Sequence, residues 1–134
     1  MGGYFHPEWF TSPYLASLSR ATSLSINWRE LYAAVTALAT WGPQLAGQNV
    51  YFHIDNQAVV AALNKHYSPA PHMMALVRHW CLLLVQYDIN PRPVYIPTDV
   101  NTDADDLSRL QVPRFRQRRT SASPTPTWPT LIPY

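Results

Sequence analysis

Cysteine is almost missing from this chain of 134 residues. Cys81 stands alone, which excludes an intrachain disulfide and a zinc site built on several cysteines. That usage fits a reducing compartment, so an intracellular location, cytoplasmic or nuclear, is expected. Long apolar runs are missing as well. "CLLLV", at 81 to 85, is far too short to cross a bilayer. The N-terminus has no charged region leading into an apolar one, so no secretory signal is expected, and no membrane partner. No internal repeat is visible. Charge is scarce too: only 13% of residues are Asp, Glu, Lys or Arg, and the formal net charge is +2.

What charge there is lies unevenly. Four of the eight acidic residues, Asp99, Asp103, Asp105 and Asp106, fall within "DVNTDADD". Carboxylates at that density repel unless a cation sits among them or they point apart into water. Five of the ten basic residues, Arg109, Arg114, Arg116, Arg118 and Arg119, follow directly. A local basic run can serve an anionic partner such as nucleic acid, or can be no more than a solvated end.

The 47% of hydrophobic residues can build a core for one domain. "GGYFHPEWFTS" reads as a short hairpin around His6-Pro7. Pro13 to Ser25 is Ser-rich and reads as a loop. "INWRELYAAVTALATWGP" is the clearest helix: Leu31, Val35 and Leu38 form a stripe, Asn27 offers an N-cap, and Gly42-Pro43 is the expected stop. "NVYFHID" reads as a strand covered on both faces. "NQAVVAALNK" and "SPAPHMMALVRHWCLLLVQYD" read as helices, the second capped at Ser68. "RPVYIP" reads as a strand, and "DADDLSRL" as the start of a last helix. This order predicts an α/β domain over residues 1–112 with one mixed sheet and flanking helices. Residues 113–134, rich in Arg, Pro, Ser and Thr, are expected to be a disordered tail.

Three acids come from separate elements. Asp55 ends the apolar strand, and sites in open α/β sheets gather at such carboxyl ends. It could equally cap the helix that follows. Glu30 follows Asn27 by three, the capping-box spacing, yet it borders the apolar stripe, where a carboxylate is costly unless paired or metal-bound. Asp105 opens the last helix, where an acid also suits the helix dipole. One arrangement explains all three together. Hard divalent cations take oxygen ligands, and two of them about 4 Å apart can activate a water and stabilise a leaving oxygen.

"INWRELYAA", "FHIDNQAVVAALNK" and "YIPTDVNTDADDLSRL" resemble the ribonuclease H domain that follows the reverse transcriptase in retroelements, most of all in DIRS-type elements with a tyrosine recombinase. The similarity covers roughly residues 2 to 120. It implies a ribonuclease H-like fold and an endonuclease that hydrolyses the RNA strand of RNA–DNA hybrids with two Mg²⁺ (or Mn²⁺) ions. It also implies Glu30, Asp55 and Asp105 as catalytic metal ligands, and an upstream reverse transcriptase domain as a possible partner. Asn56, Asn101, Arg109, Arg114, Arg116, Arg118 and Arg119 are the expected nucleic-acid-binding residues. Asp99, Asp103 and Asp106 fall at positions the family pattern leaves variable and are expected to be solvated.

Two departures qualify the resemblance. Thr98 stands where the family has Gly. The family's first central strand, with a fourth acid, has no counterpart before "GGYF", so impaired hydrolysis and exposed strand edges are expected. The rivals are a non-catalytic nucleic-acid-binding or structural remnant of a retroelement, and a recombinase or integrase core on the same fold.

Overall fold

The computed structural model describes residues 1–12 and 25–132. Nearly all of the Ser-rich stretch read as a loop lies outside them. Strands β1 (Gly2–Phe5) and β2 (Glu8–Thr11) form the expected hairpin, with Phe5 opposite Glu8 across the His6-Pro7 turn. Helix α1 (Ile26–Leu45) leads to β3 (Asn49–Ile54), then α2 (Gln57–Lys65), α3 (Pro71–Tyr87), β4 (Asn90–Tyr95), α4 (Thr102–Ser108) and α5 (Val112–Arg118). The described chain is therefore mixed α/β with five helices.

The sheet differs from the expected single mixed one. Among the described residues β1 pairs with β2 alone, antiparallel, and β3 with β4 alone, parallel. No hydrogen-bonded ladder joins the pairs; both rest on α1. β3 is also not covered on both faces. Ile54 is buried and Phe52 stacks edge-on against Trp80 at 4.8 Å, while Tyr51 is 66% exposed. The apolar run suggested a fully covered strand, yet its aromatic residues leave one face open.

Helix boundaries move for local reasons. Ser25 rather than Asn27 caps α1, its hydroxyl accepting from the Trp28 amide at 3.2 Å. Glu30 is thus beyond capping-box reach. Gly42-Pro43 does not stop the helix. Pro43 lies in its last turn, and Gly42 is there because a Cβ would come within 2.4 Å of the Tyr87 ring on α3. α3 begins at Pro71 after Ala70, two residues later than a Ser68 cap implies.

The main core is the buried stripe of α1 (Leu31, Tyr32, Val35, Leu38) against Leu76, Val77 and Trp80 of α3. A second, smaller core gathers Trp9, Leu107, Phe115 and Ala122. This core is where the expected tail departs from expectation. α5 turns Phe115 fully inward, and burying such a ring stabilises by about 2 kcal/mol. The chain then runs as a strap along the hairpin: the Ser123 carbonyl accepts from Trp9 Nε1 at 2.8 Å, and the Thr127 amide donates to the Trp9 carbonyl at 2.7 Å. Composition alone did not show this, because one well-placed aromatic in an Arg- and Pro-rich stretch carries the packing.

Candidate functional site

The carboxyl end of β3 faces the middle of the first turns of α1 and the start of α4. Glu30 from α1, Asp55 just after β3, and Asn101 and Asp105 from the α4 start all line one small cavity of about 50 Å³. Each is only partly buried. Three acids drawn from sites 25 and 50 residues apart therefore share a small volume. Glu30 shows the consequence. Burial pushes its carboxyl above the ordinary value, the negative charge of Asp55 adds to this, and Asp105 adds further. The Met1 ammonium works the other way. That ammonium donates to the Ser12 carbonyl at 2.8 Å, and burial lowers its own pKa.

Whether these residues suit the implied cations divides into two questions. Donor type suits them: three carboxylates and a carboxamide are hard oxygen donors of the sort Mg²⁺ takes. Placement does not. Among the described residues, no three His, Cys, Asp or Glu side chains are gathered closely enough to hold an ion. Asp105 is also occupied, accepting from Arg109 Nε at 3.1 Å one helical turn on. The residues converge on the cavity without closing on a metal.

The expected nucleic-acid contacts are mostly spoken for. Asn56 caps α2, its Oδ1 accepting from the Val59 amide at 3.1 Å while its Nδ2 donates to Asn27 Oδ1 at 2.8 Å. Asn101 lines the cavity and makes no capping bond with its side chain. Arg116 donates to the Pro124 carbonyl. Arg118 donates to Asp106 and, at 3.3 Å, to Asp103, and Arg119 reaches Asp103 at 2.9 Å. Arg114 is exposed on α5. The carboxylate of Asp106 holds the Arg118 guanidinium above its usual pKa.

These contacts revise the expectation for the acidic cluster. Asp106 is buried and Asp103 half-buried, and both are neutralised by α5 arginines. Only Asp99 is exposed, as expected of a solvated neighbour. The acidic and basic runs lie close in sequence because they meet in space. A clue was present: runs of opposite sign a dozen residues apart, with Phe115 to bury between the arginines.

A feature that sequence reasoning missed is a larger cavity of about 410 Å³ between β1 and β3. Ala33, Ala34 and Ala37 of α1 line it, and Trp41 closes part of it. The small residues "AAVTA" were the signal. No helix among the described residues is long and apolar enough to cross a membrane. No protein-family model matches the chain, and no curated protein matches it.

Proposed function

We propose that this chain is a ribonuclease H-like domain of a retroelement reverse transcriptase, acting on the RNA strand of RNA–DNA hybrids. The observation that carries this reading is the convergence of Glu30, Asp55, Asp105 and Asn101 on one cavity at the carboxyl end of β3. Acids from three elements meeting there suit phosphodiester chemistry, because concentrated negative potential draws the cations that a phosphate backbone also needs. Glu30, Asp55 and Asp105 are the residues that would hold the Mg²⁺ the resemblance implies, once brought closer together than they stand here. The residues of this chain contribute oxygen donors and, through Asn101, a carboxamide that can donate to a sugar or phosphate oxygen. Recognition of a hybrid rests on helix shape and 2′-hydroxyls rather than on base sequence.

A second reading has its own support. The carboxylates do not close on an ion among the described residues, and Arg109 engages Asp105. Both favour a non-catalytic remnant that binds nucleic acid or serves a structural role. One assay separates the two: a labelled RNA–DNA hybrid incubated with the chain and Mg²⁺ or Mn²⁺, with Asp55→Asn as control. Metal-dependent cutting of the RNA strand that Asp55→Asn abolishes supports the enzyme. Hybrid binding without cutting supports the remnant, and absence of both sinks the nucleic-acid reading altogether.

A further inference from the structure

A parallel strand pair is ordinarily buried on both faces, because its crossover helices cover it. The pair β3–β4 is covered on one face only. Phe52 meets the Trp80 ring of α3 there, and its register partner Pro93 is buried on the same side. Side chains alternate along a strand, so Asn49, Tyr51 and His53 of β3 turn the other way. They stand in register with Asn90, Arg92 and Val94 of β4. Asn90 Nδ2 donates to Asn49 Oδ1 at 2.7 Å, which places the two rows on one face.

These rows do not suit a covering helix or a second apolar sheet. Val94 is the one aliphatic side chain of the six, and an apolar cover would bury the asparagines and Arg92 without partners. Tyr51 is 66% exposed, and His53 and Arg92 are exposed beside it. The face carries a cation and no carboxylate. Among the described residues no ion pair engages Arg92, and no ring or cation stacks on Tyr51.

Tyrosine, histidine and arginine are the side chains on which unpaired bases stack, and a sheet face carrying them can splay a single strand. Strand geometry sets Tyr51 and His53 about 7 Å apart along β3, with Arg92 about 5 Å across from Tyr51. Two rings are thus offered to successive bases, with a guanidinium in reach of the phosphate between them. A duplex keeps its bases stacked inside and brings only phosphates, for which the face has one arginine.

We propose that the open face of β3–β4 binds single-stranded nucleic acid, one base stacking on Tyr51 and the next on His53 while Arg92 takes the phosphate between. The choice of ligand rests on the nucleic-acid reading above. The face makes no use of Glu30, Asp55 or Asp105 and is a site separate from theirs.

The test uses the full chain and fluorescence anisotropy, with labelled oligo(dT), oligo(U) and a blunt DNA duplex of the same length, in the absence of Mg²⁺. Single strands should bind more tightly than the duplex, and a preference for one of them names the sugar. Tyr51→Ala should lose about fivefold or more in affinity, the low end for one stacked base, while Tyr51→Phe retains it. Arg92→Ala should flatten the log–log salt slope by about 0.7. Arg78→Ala removes an exposed charge from α3, behind the sheet, and should leave the slope unchanged. Urea midpoints of all four variants should match the parent's, which separates lost contacts from lost folding. A duplex bound as tightly as the single strands, Tyr51→Ala binding like the parent, or equal slope changes for Arg92→Ala and Arg78→Ala overturns the proposal. A chain that binds oligo(dT) through Tyr51 yet cuts no hybrid loses the proposed enzyme and keeps this site. One that cuts hybrids but fails these measurements does the reverse.

Discussion

Arg119 and Asp103 pair at 2.9 Å, tying the end of α5 to the first turn of α4 across 16 positions of sequence. Beside them Arg118 neutralises Asp106, whose side chain is 6% exposed while that of Arg118 is 38% exposed. A buried carboxylate that loses its only cation is expensive, but the exposed guanidinium end is screened by water. Arg118→Ala should therefore destabilise the chain by about 1–2 kcal/mol in urea unfolding. The double variant with Asp106→Asn should recover part of that loss. If Arg118→Ala unfolds at the same urea midpoint as the parent, the pair is a surface contact with no structural role.

The same contacts determine how α5 can meet a nucleic acid. An arginine already committed to a carboxylate releases few counterions when a phosphate arrives, whereas a free one contributes about 0.9 to the log–log salt slope. Arg114 is exposed on α5 and Arg118 is ion-paired. If the chain binds an RNA–DNA hybrid, Arg114→Ala should flatten the slope by about one and Arg118→Ala by much less. Equal changes for both would mean that the ion pairs open on binding.

Asn56 offers a check on a residue that sequence pattern assigns to nucleic acid. Its carboxamide is used on both sides, capping α2 through Val59 and holding Asn27 at the start of α1. Removing a cap of this kind costs about 1 kcal/mol, and the lost bond to Asn27 adds about 1 kcal/mol. Asn56→Ala should lower stability by about 2 kcal/mol in sum. Asn56→Asp should cost less, since an aspartate keeps the cap and loses only the donor. A hybrid-binding defect in Asn56→Asp without loss of stability would return this residue to the interface.

Periodicity carried most of the fold. The α1 stripe of Leu31, Val35 and Leu38 was legible because a buried face leaves a spacing in the sequence, whereas the apolar run of β3 showed a strand but misled about its cover. That Glu30, Asp55 and Asp105 line one cavity was suggested by the resemblance and not by spacing, since each acid also had a local reason for its place. The pairing of Arg118 with Asp106 was not, since nothing local distinguishes a solvated charge from a paired one. Nor was the strap: its bonds to Trp9 run from backbone atoms, to which side-chain pattern is blind. The separation of the two sheets leaves no mark in either strand's own residues; exposed strand edges were expected only through the resemblance.

The strap itself can be cut away. Deleting residues 120–132 removes the bond from Trp9 Nε1 to Ser123 and the bond from the Thr127 amide to the Trp9 carbonyl, and it uncovers an indole that is 3% exposed. The two bonds to Trp9 and its partial uncovering alone amount to about 3 kcal/mol, and the loss is larger in sum because the deletion also removes the Ser123–Pro7 and Tyr32–Ile132 bonds and takes Ile132 out of the main core. Emission from Trp9, read in a variant whose other tryptophans are replaced by phenylalanine, should shift to longer wavelength as water reaches the ring. Emission and stability that match the intact chain would show that the strap contributes nothing to the hairpin.

Glu30 should make stability depend on pH in a direction opposite to that of most carboxylates. Burial, then the charge of Asp55, raises its pKa in the folded chain, so the folded state holds the proton to higher pH than the unfolded state does. Between the ordinary value of 4.5 and the raised one, the folded state binds more protons. Stability from this group is thus full below 4.5 and falls as pH rises through the folded pKa. Glu30→Gln removes the ionisation and keeps the shape. It should raise the melting temperature at neutral pH, and the gain should vanish at pH 4 and below. Without Mg²⁺ the effect should be largest, because a divalent cation drawn to the cavity would offset the repulsion among Glu30, Asp55 and Asp105. A melting temperature for Glu30→Gln that equals the parent's at neutral pH would mean that the three carboxylates do not share a field, and the convergence on which the proposed function rests would lose its electrostatic support.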